Sequence, residues 1–156
     1  GCLLALERAF AERLPANPID IGTGSGILAI AIAKRCDVHV SASDIDPIAV
    51  DVARENAVIN GVGDRVSCFV ADGVDGHEIG TSAPYDLVVA NIVANPLIAL
   101  AVGIGRNLAE DGFVILSGIL NEQSSGVTEA YAAEGLILTD KIELGNWTTL
   151  ILQRPD

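Results

Sequence analysis

The run Asp20-Ile-Gly22-Thr-Gly24-Ser-Gly26 sets three glycines at alternate positions between a short apolar segment and a helical one. Glycine lets a backbone turn sharply and lets a ligand approach it closely. The first N–H groups of the helix that follows have no partners within it, so they face whatever the loop holds. The dinucleotide fingerprint is G-x-G-x-x-G; here the third glycine comes one residue early, and Ile27 holds the place where it belongs. Asp20, just before the loop, is an unfavourable neighbour for a pyrophosphate. A loop of this kind suits a nucleoside with an amino-acid tail; the plainer reading is a tight turn with no ligand.

Three further polar residues end apolar runs. Asp44 comes about 20 residues past the loop, where a carboxylate can accept both ribose hydroxyls. Helix capping is the other use for Asp44 or Asp46; Asp46 precedes Pro47 and fits the cap better, which leaves Asp44 free for ribose. Asp72 reads either as a lone loop aspartate or as a partner for an adenine amino group. Asn91 follows the apolar run Tyr85 to Ala90; it is either an ordinary turn residue or a side chain projecting near the reactive carbon. Asn95 before Pro96 reads as a cap.

The elements that must position these residues alternate. Helical spacing from Cys2 to Leu14 is stopped by Pro15 and Pro18. Strands are expected at Ile19 to Ile21, Val38 to Ser43, Val66 to Ala71, Tyr85 to Ala90 and Gly112 to Ser117. Helices are expected from the glycine loop to Arg35, from Asp46-Pro47 to Asn60 with Gly61 as the stop, from Asn95-Pro96 to about Ala109, and from Asn121 to Glu134. Gly73 to Pro84 reads as loop with one helical turn. Alternation of this kind builds a parallel sheet with helices on both faces, and ligands then sit beyond the carboxyl ends of the strands. Leu136 to Leu144 and Trp147 to Gln153 are two final strands joined by Gly145-Asn146, a hairpin connector, so the last strand runs antiparallel to its neighbour.

The 156 residues suit one domain, and its 50% hydrophobic content with only 4% aromatics fits aliphatic strands under Ala-rich helices. The net charge of −12 repels phosphate backbones, which disfavours direct nucleic-acid binding and favours a basic protein or a cationic ligand, solubility being the plainer use. Cys2, Cys36 and Cys68 are odd in number and widely spaced, and read as small buried residues of a reducing compartment; with only His39 and His77 to join them, no metal site is expected. The longest apolar stretch, Ile27 to Ala33, is too short to cross a bilayer. The chain has no methionine and reads as a fragment of something longer.

Asp20-Ile-Gly-Thr-Gly-Ser-Gly-Ile-Leu-Ala-Ile, Ser43-Asp-Ile-Asp-Pro-Ile-Ala-Val50 and Ala53-Arg-Glu-Asn-Ala57 together resemble class I S-adenosylmethionine-dependent methyltransferases. Asp86-Leu-Val-Val-Ala-Asn91-Ile-Val-Ala-Asn-Pro-Leu97, Leu116-Ser-Gly-Ile-Leu120 and Asn146-Trp-Thr-Thr-Leu150 narrow the resemblance to the PrmA family, the methyltransferases of large-subunit ribosomal protein eleven. The glycine loop is generic to the class; the Ala-Asn-Ile and Leu-Ser-Gly-Ile-Leu elements are more specific.

The resemblance implies a three-layer α/β, Rossmann-like fold, with a seven-stranded, mostly parallel sheet whose last strand is antiparallel. It implies S-adenosyl-L-methionine as cofactor and contacts at Gly22, Asp44 and Asn91, to which the residue reading adds Asp20, Gly24, Gly26 and Asp72. Asn91 is the expected catalytic residue. The resemblance further implies N-methylation of lysine side chains and an α-amino group on a basic ribosomal protein, in the cytoplasm. The family's amino-terminal substrate-recognition domain, and a threonine-bearing segment that touches the cofactor, have no counterpart here, so residues 1–156 are expected to be the catalytic domain alone. The alternatives are a class I methyltransferase acting on another protein or a small molecule, and a non-catalytic cofactor-binding module. A base-flipping nucleic-acid enzyme fits less well, because Asn91-Ile-Val-Ala lacks the aromatic platform of Asn-Pro-Pro-Tyr.

Overall fold

A computed structural model describes residues 1–156. Helix α1 (Cys2–Glu12) leads into β1 (Pro18–Ile21), α2 (Ile27–Cys36), β2 (Val40–Asp44), α3 (Pro47–Ile59) and β3 (Val66–Val70). Then come α4 (His77–Ser82), β4 (Tyr85–Asn91), α5 (Ala94–Asn107), β5 (Leu108–Leu120), a 3₁₀ turn (Asn121–Gln123), α6 (Ser124–Ala132), β6 (Ile137–Leu144) and β7 (Trp147–Gln153). All seven strands form one sheet in the order β3-β2-β1-β4-β5-β7-β6. β1 through β5 pair in parallel, and β7 is antiparallel to both β5 and β6.

Side chains alternate across a strand, and that alternation builds the three layers. Leu87 and Val89 of β4, Phe113 and Ile115 of β5, and Ile151 of β7 pack in one cluster with α1, α2 and α3. Val88 and Ala90, Val114 and Leu116, and Leu150 and Leu152 pack in the other with α4, α5 and α6. The central strands are thus apolar on both faces, as parallel strands covered by helices must be. No helix is long and apolar enough to cross a membrane.

Local signals act as expected at several boundaries. The Asp46 carboxylate accepts from the Ile48 N–H at 2.9 Å and caps α3, with Pro47 in the first turn. Gly61 ends that helix with φ 74°. Gly145 takes φ 60° between β6 and β7, the left-handed first position of a tight hairpin turn.

Other boundaries move. α5 begins at Ala94 with Val93 as its N-cap and no side-chain cap, so Asn95 lies inside the first turn; Pro96 fits there because first-turn N–H groups need no helical partner. β5 starts at Leu108 instead of Gly112, because Leu108 pairs with Tyr85 and is buried, and the irregularity falls at Asp111, with φ 59°. The stretch after Gly73 holds a six-residue helix, α4, pinned by buried Ile79, whose carbonyl accepts from the Tyr85 hydroxyl at 2.7 Å.

A second buried phenol joins two helices: Tyr131 of α6 is fully buried and donates to the Leu97 carbonyl of α5 at 2.9 Å. Tyr131→Phe is expected to lower the unfolding free energy by about 1 kcal/mol with an unchanged denaturant slope, because one buried hydrogen bond is lost and no cavity of consequence forms.

Candidate functional site

The chain leaves β1 toward β2 and β3 on one side, while β4, its neighbour on the other side, continues toward β5. This is a topological switch point, where parallel sheets open a crevice beyond the strand ends. A cavity of about 450 Å³ lies there, with Gly22, Asp44, Asp72, Ile92 and Leu100 among its walls.

The glycine loop leaves β1 with left-handed φ at Gly22 (67°), Gly24 (56°) and Gly26 (85°). Two of these positions also lack room for a side chain. A Cβ at Gly22 would sit 2.5 Å from Ile92 Cγ2, and one at Gly26, the N-cap of α2, would sit 3.1 Å from the Ala53 Cβ on α3. The loop is tied down from three directions: Thr23 N–H donates to the Ser43 carbonyl at 2.9 Å, Gly24 N–H to Asp44 Oδ2 at 2.9 Å, and the Asn56 amide to the Ser25 carbonyl at 2.8 Å.

Asp20, expected among the cofactor contacts, is held by the chain itself. It lies beneath the loop, 1% exposed, where its Oδ2 accepts from Thr23 Oγ1 at 2.7 Å and from the Ala29 N–H at 3.1 Å. Neighbours Ile19 and Ile21 pack on the α5 face, so strand alternation turns Asp20 to the α2 face, under the helix start. It shapes the loop from within. Gly24 and Gly26 likewise form the loop without lining the cavity; Gly22, Asp44 and Asp72 line it together.

Burial pushes the Asp20 carboxyl up to about 7, against the lowering effect of the Thr23 and Ala29 hydrogen bonds, and the Asp44 charge adds to the rise. A carboxyl with a folded pKa above its unfolded value of about 3.9 stabilises most below pH 4 and loses that contribution as pH rises through about 7. Asp20→Asn cannot ionise and keeps an acceptor for Thr23. The variant is therefore expected to gain in melting temperature relative to the parent between about pH 4 and 7, with no further gain above. A pH series of paired thermal melts checks this, and a constant difference would refute it.

Asp44 ends β2 half-buried, with Oδ2 on Gly24 N–H and Oδ1 accepting from the Asp46 N–H at 3.0 Å. Both oxygens keep a second lone pair. Asp72 is exposed at the cavity's rim, followed by buried Gly73, whose carbonyl accepts from Ser43 Oγ at 3.1 Å. No Lys, Arg or His lines the cavity. A group with a negative phosphate chain would meet two carboxylates and no cation there, whereas a neutral nucleoside or a cationic group would be welcome.

Asn91 stands apart from these. It ends β4, pairs with Ser117 of β5, and lines an adjoining cavity of about 280 Å³ with Ser117, Gly118 and Trp147. Ile92 is the partition between the two. Its side chain lies against Gly22, and a Cβ at Gly118 would meet its carbonyl at 2.6 Å and Asn91 Oδ1 at 3.1 Å. Gly118 has φ 82° and sits where the β5–β7 register slips by one residue, a bulge of the kind that re-aims chain beside a site.

Sequence reasoning missed the walls. Ile45, Ile92, Pro96, Ala99 and Leu100 line the larger cavity, and nothing in their types separates them from core residues. Gly118 and Trp147 lay within segments already singled out, but no local signal brought them to Asn91.

The sequence profile described as Ribosomal protein L11 methyltransferase (PrmA) matches residues 1–155. A "Ribosomal protein L11 methyltransferase" of Brucella suis is 46% identical over 98% of this chain and 54% of its own length. One of Bradyrhizobium diazoefficiens is 44% identical over 99% of this chain and 52% of its own length. The chain thus spans about half the length of the curated relatives it matches. Among solved structures, a ribosomal protein L11 methylase from Lactobacillus delbrueckii subsp. bulgaricus superposes with a TM-score of 0.90 at 34% identity, covering 99% of this chain and 77% of that one. An RNA methyltransferase from Salinibacter ruber, in complex with S-adenosyl-L-homocysteine, shares the fold at a TM-score of 0.76 and 17% identity, covering 99% of this chain and 92% of that one.

Proposed function

The chain belongs to the ribosomal protein L11 methyltransferase (PrmA) family, and on that premise we propose that it is a catalytic domain that binds S-adenosyl-L-methionine and methylates amines of a basic large-subunit ribosomal protein in the cytoplasm. The amines are lysine side chains and an α-amino group. The observation that carries the proposal is the switch-point cavity, whose lining has two carboxylates, a backbone loop and apolar walls but no phosphate-binding cation.

The residues present fit the cofactor. Asp44 accepts the ribose hydroxyls on its free lone pairs while its other contacts hold it against Gly24. Asp72 would meet the adenine amino group, and Ile45, Pro96 and Leu100 would supply an apolar bed for the ring. Gly22 gives the amino-acid tail close access to backbone. When bound, S-adenosyl-L-methionine supplies a sulfonium methyl already activated toward nucleophiles.

This chain's own work is therefore orientation and desolvation. The nucleophile must be neutral. Deprotonating a free lysine of pKa about 10.4 at pH 7 costs roughly 4.6 kcal/mol, and an α-amino group near 7.7–8.0 only about 1 kcal/mol. No titratable side chain lines the Asn91 cavity, so desolvation on docking beside the cationic cofactor would lower the amine's pKa in place of a base. Asn91 Oδ1 would accept from the amine N–H and so orient it beside the cofactor cavity.

Calorimetry with S-adenosyl-L-methionine, S-adenosyl-L-homocysteine and NAD tests the binding, and labelled methyl transfer to purified ribosomal protein L11 tests the activity. Binding of the first two, no heat with NAD, and label on the amines are expected. Binding without transfer would favour a non-catalytic module; NAD binding without the other two would overturn the reading.

A further inference from the structure

Trp147 is the chain's single tryptophan, and it stands 55% exposed at the start of β7. It pairs with Leu144, itself 53% exposed, across the Gly145-Asn146 turn, so indole and leucine lie on one face of the hairpin. A large aromatic left in water beside another apolar side chain needs a use. The indole is a wall of the cavity that Asn91 lines, and Ile92 separates that cavity from the larger one.

We propose that the cavity between Asn91 and Trp147 is the amine subsite, and that Trp147 determines its specificity for a cationic head on an apolar stem. The inference rests on the methyl-transfer reading above and adds to it the recognition chemistry on the acceptor side. The cavity holds no Lys, Arg, His, Asp or Glu. The Ser117 hydroxyl is engaged with Thr149 Oγ1 at 2.8 Å in the interior, so it is held as part of the wall. That leaves two recognition elements. Asn91 has a side-chain oxygen to accept an N–H. The indole face attracts an ammonium through its quadrupole, Trp more than Tyr or Phe; it holds the charged amine on arrival and opposes in part the lowering of its pKa that the bound sulfonium would cause. Trp147 and Leu144 give the stem an apolar bed, and the net charge of −12 favours arrival of a cation. As methyl transfer moves positive charge onto nitrogen, the same face stabilises it there.

The test uses the chain loaded with S-adenosyl-L-homocysteine. One tryptophan gives one indole N–H resonance, and the Gly118 amide is a second reporter on the same cavity. N-acetyl-lysine methylamide is expected to shift both saturably. Its neutral analogue, N-acetyl-norleucine methylamide, is expected to bind about 2- to 30-fold more weakly. Trp147→Phe should retain part of that preference. Trp147→Leu should abolish it, read at Gly118, with the calorimetric affinity for S-adenosyl-L-homocysteine and the melting temperature unchanged. Equal affinity for the two probes, silence of both reporters, or a preference that survives Trp147→Leu would overturn the proposal and leave the cofactor reading standing. Failure of the parent chain to bind S-adenosyl-L-homocysteine would instead overturn that reading, and this inference with it.

Discussion

Asp44→Ala is expected to weaken S-adenosyl-L-methionine binding by about 100-fold or more. Hydrogen bonds to a charged group contribute roughly 1.5–3 kcal/mol each. The proposed ribose contact uses two, and about 2.7 kcal/mol corresponds to 100-fold. The substitution also frees Gly24 N–H, which Asp44 Oδ2 holds at 2.9 Å, so the loop loses one of its ties. Asp46 provides the control. It lies two residues on, carries the same charge, and spends its carboxylate on the Ile48 N–H. Asp46→Ala is expected to cost about 1 kcal/mol of stability with no more than a small change in affinity. Calorimetry and denaturant melts on both variants separate the roles, and an affinity loss greater for Asp46→Ala would reverse the assignment of the two aspartates.

Asn91→Ala is expected to lower kcat by about 100-fold, the scale of a misplaced reactant, with cofactor affinity within a few-fold of the parent. The geometry argues for this separation. Asn91 lines the smaller cavity and not the larger one, and its side chain makes no hydrogen bond within the chain, so removal leaves the cofactor walls and the fold in place. The backbone at Asn91 stays fixed through its pairing with Ser117. Asn91→Asp sharpens the test. A carboxylate there holds the acceptor amine in its protonated form, so the rate should fall at neutral pH and the rising limb of the pH–rate profile should move to higher pH. Equal losses in kcat and in cofactor affinity for Asn91→Ala would reject the orienting role.

Residues close in sequence settled much of the architecture. The Asp46-Pro47 cap, the stop at Gly61 and the hairpin at Gly145-Asn146 each satisfy backbone groups within a few residues, and each stands where expected. Alternating strand and helix segments led to the layered sheet by the same local logic. One boundary moved because a distant partner intervened, Leu108 becoming strand by pairing with Tyr85; another moved locally, the cap passing from Asn95 to Val93 because Pro96 fits inside the first turn.

The site divides along the same line. The glycines of the loop were legible because positive φ is a local demand that only certain residues meet. The acidic balance, and the absence of a phosphate fingerprint, followed from composition and spacing alone. The direction in which Asp20 points was decided by strand alternation against two packed faces, so a residue expected in the crevice lies under the loop. The apolar walls at Ile92, Pro96 and Leu100, and the meeting of Asn91 with Gly118 and Trp147, depend on which strands lie side by side and where β5 slips against β7. Chain-local forces specify caps, turns and periodicity; which distant side chains share a cavity is fixed only when burial of both sheet faces selects one strand order and one register.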